Sequence, residues 1–143
     1  MKRRSFVTAL GFAALTAPAS ATSEKPAKPA SQEVAAKRSY AALARASSIC
    51  LAAGQDCLRR ALATKDVALA DCASSTADVV AACGALAALA GLGSPYAPAF
   101  ARTVADLCLA CKKDCDKLPG VAECAALGAA CASCAAECAK AAG

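Results

Sequence analysis

Eleven cysteines are the residues able to do chemistry in a chain of 143 residues that has no histidine, no tryptophan and one methionine. They are Cys50, Cys57, Cys72, Cys83, Cys108, Cys111, Cys115, Cys124, Cys131, Cys134 and Cys138. Inside the helix-prone segments they are spaced by 7; by 11; by 3 and 4; and by 7, 3 and 4 residues. An α-helix turns about 100° per residue, so all these intervals return close to the starting direction. Each segment would then aim its thiols along one stripe. Facing stripes make a sulfur-lined core, which suits holding a soft metal better than turning over a substrate. With no histidine there is no Ser–His or Cys–His pair, and no acid–base constellation is evident.

Four uses of the thiols are open. Disulfide scaffolds are common in small exported chains. Here, however, the count is odd, and cysteines three or four apart on one helix meet disulfide geometry poorly. Cross-helix bridges stay possible. Inert packing accounts for one or two buried cysteines, but eleven would leave a thin core in a chain that is 3% aromatic. Zinc prefers closed tetrahedral sites built on tight knuckles. The runs Cys108-x2-Cys111-x3-Cys115 and Cys131-x2-Cys134-x3-Cys138 superficially match iron–sulfur spacing, yet they lie in helical sequence and cover six of the eleven thiols. Cu(I) is soft and accepts two or three sulfurs. Each thiolate carries −1 and each Cu(I) +1, so about one copper per cysteine would leave a buried core nearly neutral. Uncompensated thiolates there would be prohibitive.

The elements needed to aim these side chains are helices. From Glu33 onward the chain is rich in Ala and Leu, and no alternating β-branched run marks a strand. Four helices are expected: 33–63, with a weak point at Gly54; 66–91; 96–118; and 121–141. Gly91-Leu92-Gly93-Ser94-Pro95 separates the second from the third, with Ser94 as N-cap and Pro95 in the first turn. Pro119-Gly120 ends the third. Short connections make neighbours antiparallel, giving an all-α, up-down-up-down four-helix bundle with a cysteine-lined core. Counted from the turns, Cys57 and Cys72 share a level, as do Cys108 with Cys131, Cys50 with Cys134, and Cys83 with Cys138. Cys111 falls near Cys57, and Cys115 and Cys124 lie lowest. The column would be on the order of 20 Å long at about 1.5 Å per residue. The uncharged stretch 79–93 is too short and too interrupted by Gly and Pro to span a bilayer well, so it reads as a buried or subunit-facing helix.

Residues 1–21 read as a cleaved signal. Lys2, Arg3 and Arg4 precede an apolar run, and Ala19-Ser20-Ala21 is a small-x-small cleavage site. Arg3-Arg4-Ser5-Phe6-Val7 favours the twin-arginine route over ordinary Sec export. Export in the folded state would bury the thiols before they meet an oxidising periplasm. Residues 22–32 form a polar, Pro-containing linker, expected to be disordered, and 33–143 the bundle domain. Without Lys2, Arg3 and Arg4 the chain's 16 basic side chains become 13 against 11 acidic, so its net charge falls from +5 to +2. Nothing there favours nucleic acid, and no membrane span is expected after cleavage. Asp56, Asp71, Asp106, Asp114, Asp116, Glu123 and Glu137 stand beside or near cysteines in sequence, off the thiol stripe, and read as solvated charges.

Cys50-x6-Cys57, Cys108-x2-Cys111-x3-Cys115 and Cys124-x6-Cys131-x2-Cys134-x3-Cys138, together with the signal, resemble the bacterial copper storage proteins (Csp family). The resemblance covers about 33–141. It implies a four-helix bundle whose interior cysteines hold many Cu(I) ions, a homotetramer, and, for the exported branch, a twin-arginine signal and supply of copper to enzymes. All eleven cysteines are then metal ligands, and no catalysis is expected. Arg59, Arg60 and Ala61 stand where relatives often have a further Cys or a His-Cys pair. The His or Met that relatives often place at the mouth is missing too, which leaves entry to thiols alone, with Cys50, Cys83 and Cys138 nearest the open end. The alternatives from other classes are a disulfide-stapled helical envelope interaction protein and a general soft-metal protein that binds zinc or cadmium.

Overall fold

The computed structural model describes residues 30–64 and 67–143. The expected signal 1–21 and residues 22–29 of the expected linker lie outside the described residues. Four α-helices follow in chain order: α1 (Ala30–Thr64), α2 (Val67–Gly91), α3 (Ala97–Cys115) and α4 (Ala122–Ala142). There is no strand among the described residues. α1 packs on α2 and α4, and α3 packs on α2 and α4, so the helices form a ring in chain order with the diagonal pairs hardly touching. This is the antiparallel four-helix bundle expected from short connections between Ala-rich helices.

Helix ends follow local chemistry. α1 starts at Ala30, three residues ahead of the expected 33, because nothing between Ala30 and Glu33 breaks a helix. It runs unbroken through Gly54, where a weak point was expected. Gly54 is buried instead, and a Cβ there would lie 2.6 Å from Val80 Cγ2, so glycine lets α1 and α2 approach closely. α2 ends in a Schellman cap. Ser94 N–H donates to the Leu89 carbonyl at 2.9 Å and Gly93 N–H to the Ala90 carbonyl at 3.1 Å, with Gly93 at φ 66°. Ser94 is not the N-cap expected of it, nor does Pro95 fall in the first turn: α3 begins at Ala97 with Tyr96 as N-cap and Pro98 in the first turn, and Ser94 Oγ accepts from Tyr96 N–H at 3.3 Å in the turn ahead of it. α3 closes at Cys115 rather than 118. Lys117 N–H and Leu118 N–H turn back three residues to the Asp114 and Cys115 carbonyls, and Pro119 disfavours helix in the residue before it.

The inward positions alternate in steps of three and four on every helix, the pattern of a coiled-coil seam. On α1 they are Tyr40, Leu43, Ser47, Cys50, Gly54, Cys57 and Ala61; on α2 they are Leu69, Cys72, Thr76, Val79, Cys83, Leu86 and Ala90. α3 contributes Ala97, Ala101, Val104, Cys108, Cys111 and Cys115, and α4 contributes Cys124, Leu127, Cys131, Cys134, Cys138 and Ala141, while Leu118 and Val121 of the connection between them pack against the same core. Stacked, they make layers of one residue per helix. Among the described residues, the two helices whose length and composition would permit a membrane crossing, Cys72–Gly91 and Ala122–Ala142, both turn cysteine stripes into this seam.

Candidate metal centre

All eleven cysteines are buried free thiols. From the turn end upward, an apolar layer of Ala61, Leu69, Leu118 and Val121 comes first. Above it lies a ring of four thiols, one per helix: Cys57 and Cys124 have sulfurs 3.7 Å apart, and so do Cys72 and Cys115. Cys57, Cys72 and Cys124 lie mutually within 4.8 Å. The next layer holds Gly54, Thr76, Cys111 and Leu127; Thr76 Oγ1 is 3.9 Å from Cys111 Sγ, and Leu127 and Thr76 both border Gly54. Cys50, Val79, Cys108 and Cys131 follow, with Cys50 and Cys131 sulfurs 3.6 Å apart. Then come Ser47, Cys83, Val104 and Cys134, where Cys134 sulfur is 3.8 Å from Ser47 Oγ and 4.0 Å from Cys83 sulfur. Cys138 shares the layer above with Leu43, Leu86 and Ala101. Cys50, Cys83, Cys108 and Cys134, again one per helix, lie mutually within 4.8 Å.

These contacts shift the register expected from the turns. Cys115 and Cys124 join the Cys57–Cys72 ring instead of lying below it. Cys50 faces Cys131, not Cys134, and Cys83 and Cys138 are a layer apart. The cause is the early end of α3: Cys115, its last residue, sits opposite Cys72, which is five residues into α2. α3 and α4 therefore ride higher than equal turns would place them. The open end differs as well. Cys50, Cys83 and Cys138 are fully enclosed: Leu43, Leu86 and Ala101 fill the rest of the layer of Cys138, and the buried Ala90 and Ala97 lie further along their helices. The thiols with any exposure are at the turn end: Cys57 and Cys115 at 2% and Cys72 at 1%.

The protons of these thiols are unequally held. Burial pushes the Cys57 thiol up, and burial, then contact with Cys57, pushes Cys124 up to about 12. A thiol that donates to a neighbouring sulfur keeps its proton. Cys83 is raised through Cys108 and Cys134, Cys131 through Cys108 and Cys111, Cys115 through Cys111, and Cys138 through Cys134. The sulfurs that accept several such bonds are favoured as thiolates. Contacts with Cys108 and Cys131 lower Cys50 to about 5, and contacts with Cys115 and Cys131 lower Cys111 to about 3. Cys134 is lowered too, by Cys108 and Cys138 first. Few negative charges thus sit side by side in the metal-free core.

The acidic side chains stay outside, as the sequence suggests. Asp56 pairs with Arg59, Asp114 with Lys117, Asp116 with Lys112 and Glu137 with Lys140, all on the surface. Asp106 is exposed and Glu123 is half-buried, while the side chain of Asp71 lies outside the described set. Exposed pairs of this kind add little stability. Two polar residues in the core were not singled out from sequence. Ser47 and Thr76 are fully buried. Thr76 Oγ1 donates to the Cys72 carbonyl at 2.8 Å, and Thr76 and Ser47 both border cysteine sulfurs. Their signal was present: each lies three or four residues from a cysteine on the same stripe.

Chemically, the column offers eleven sulfurs and the neutral hydroxyls of Ser47 and Thr76 and, among the described residues, no carboxylate or imidazole. Two sulfurs can share a metal when they are within about 4.6 Å, given metal–sulfur bonds near 2.3 Å, and the facing pairs at 3.6–4.0 Å meet that limit. Among known proteins, the family model of the copper storage proteins (Csp) matches residues 36–143, the whole bundle from the first turns of α1. No curated protein matches the chain significantly.

Proposed function

The chain belongs to the copper storage protein family, a family of storage proteins rather than enzymes, and from that premise we propose that it holds several Cu(I) ions, on the order of one per cysteine, on all eleven thiols. The observation carrying this reading is that the sulfurs form one column in which each thiol has another within reach, on its own helix or across the bundle. Charge selects the metal. No basic side chain is buried among the described residues, so the core has no cation to offset thiolates. A Cu(I) ion for each thiolate leaves the core neutral. A zinc ion on four thiolates leaves a net −2 in an apolar interior, which is costly. Metal binding replaces the thiol protons.

The store would serve later supply of copper to enzymes, or sequestration. The protein would leave by the twin-arginine route for the periplasm, with residues 1–21 removed, and would assemble as a homotetramer. The facing pairs Cys50–Cys131, Cys57–Cys124 and Cys72–Cys115 favour one second reading, a disulfide-stapled helical protein, since each pair is close enough to bond after a small movement. Thiol counting on protein isolated without reductant and then denatured separates the two. Storage expects nearly all eleven thiols free, and stapling expects about one. A general soft-metal protein is tested by competition: Cu(I) should displace bound zinc or cadmium completely, and partial displacement would favour the broader role.

A further inference from the structure

The four helices pair off as two hairpins. α1 packs more extensively on α2 than on α4, and α3 more extensively on α4 than on α2. Glycines sit where the helices of a pair touch. A Cβ at Gly54 would lie 2.6 Å from Val80 Cγ2 and one at Gly84 3.8 Å from Leu51 Cδ2, both between α1 and α2. One at Gly128 would lie 3.5 Å from Cys115 Cβ, between α4 and α3. Sulfur instead joins one hairpin to the other. Cys50–Cys131 at 3.6 Å and Cys57–Cys124 at 3.7 Å link α1 to α4. Cys72–Cys115 at 3.7 Å and Cys83–Cys108 at 3.9 Å link α2 to α3, and Cys83–Cys134 at 4.0 Å links α2 to α4. The buried hydroxyls follow suit, Ser47 meeting Cys134 at 3.8 Å and Thr76 meeting Cys111 at 3.9 Å. Thiols of one hairpin also gather within 4.8 Å in the two clusters, but all five of these facing sulfur contacts cross between the hairpins.

A thiol is a weak hydrogen-bond donor and a weak acceptor, so a surface that meets through thiols is loosely held until metal replaces their protons. No thiol is more than 2% exposed, so copper reaches sulfur only when some part of the bundle opens. Two surface hollows lie along the α1–α4 side, one beside Ile49 and Glu137 and the other beside Asp56 and Glu123. The connection from Leu92 to Tyr96 is the only chain link between the hairpins. We infer that the metal-free bundle opens by parting its two hairpins along this sulfur seam, and that bridging copper ties the seam shut; the second half rests on the storage reading. A bridging Cu(I) forms one bond to a sulfur on each hairpin. Each sulfur loses its proton to solvent, and no electron moves.

The test cuts the full chain at one of two exposed turns. A protease recognition sequence is inserted between Pro95 and Tyr96, where cleavage frees the hairpins from each other, or between Pro119 and Gly120, where it frees α4 from α3. The reduced, cut protein is diluted and read by native mass spectrometry. Without metal, the hairpins should separate with a dissociation constant about ten-fold or more above that for release of α4. Loading with Cu(I) before the first cut should lower that constant about 100-fold or more, the effect of one bridging site held at 100 times its own dissociation constant. Release of α4 at the higher concentration overturns the seam. Equal dissociation of loaded and metal-free hairpins overturns the tie. A second measurement needs no insertion. In the unaltered, reduced, metal-free protein, iodoacetamide should alkylate Cys50, Cys57, Cys72, Cys115, Cys124 and Cys131 at one common rate, with a urea dependence shallower than that of global unfolding. Rates that fall stepwise from either end of the column, or a urea dependence equal to that of global unfolding, overturn the opening. If the unaltered protein takes up only one or two coppers, the storage reading fails instead, and the metal-free arms still decide the opening.

Discussion

Leu127→Ala tests whether the layers are packed as described. Leu127 is fully buried beside Gly54 of the neighbouring helix, where an added Cβ would lie 3.8 Å from Leu127 and 3.8 Å from Thr76. Truncation removes three carbons, worth about 2.4 kcal/mol at about 0.8 kcal/mol per carbon. The hole does not close easily. Gly54 has no side chain to move in, and Thr76 is β-branched and tied to the Cys72 carbonyl at 2.8 Å. A residual cavity of about 60 Å³ at about 24 cal/mol per Å³ adds roughly 1.5 kcal/mol. The expected loss is about 4 kcal/mol, or about 16 °C in Tm at roughly 4 °C per kcal/mol. Urea unfolding of the reduced, metal-free protein, followed by circular dichroism at the helix band, reads this directly. Leu62→Ala, at a side chain 83% exposed, is the control and should change stability by less than about 0.5 kcal/mol. Copper capacity should not fall in Leu127→Ala, since no sulfur is removed. A loss below about 1 kcal/mol would refute the packing of this layer, because a buried leucine facing a glycine cannot be so cheap to truncate.

Three further outcomes are expected. Gly93→Ala should destabilise by about 1 kcal/mol, because φ 66° strains a residue with a Cβ; Gly91→Ala, inside α2 with open space around it, should be neutral or stabilising in the same urea assay. The metal-free protein should lose stability as pH rises from about 9 to about 12. Folding raises Cys57 and Cys124, the latter to about 12, so it favours their neutral forms; that contribution is complete below the ordinary thiol value of 9.0 and disappears as they ionise. Thermal melts across this range check it, and the copper-loaded protein should show no such decline. Loading at pH 7 should release protons from raised thiols such as Cys83, Cys115, Cys131 and Cys138, and few from Cys50 or Cys111, already low at about 5 and about 3. A pH-stat titration should therefore count fewer protons than coppers.

The bundle was legible because the cysteines themselves mark the inward stripe. Spacing of 3, 4, 7 and 11 identifies a helical face without reference to any other residue, and Pro119-Gly120 and Gly93 locate the turns. Burial of all eleven thiols follows from the same spacing. The vertical register did not follow, because it depends on where α3 ends. Helix propensity carries that helix to Leu118, whereas the restraint imposed by Pro119 stops it at Cys115. That slip moves Cys115 and Cys124 into the ring with Cys57 and Cys72. It also determines that Gly54, Thr76, Cys111 and Leu127 share a layer. The closed upper end was hidden for another reason. Leu43, Leu86 and the small Ala97 and Ala101 look ordinary in an Ala-rich sequence, and only their burial around and beyond Cys138 makes them a closure.

The most direct test of multinuclear Cu(I) storage is an anaerobic titration of the fully reduced protein with Cu(I) against a competing chelator, with thiols counted in parallel. Saturation near one copper per cysteine, with tight binding, is the expected result. Saturation at one or two coppers, with the other thiols still freely reactive, would contradict it.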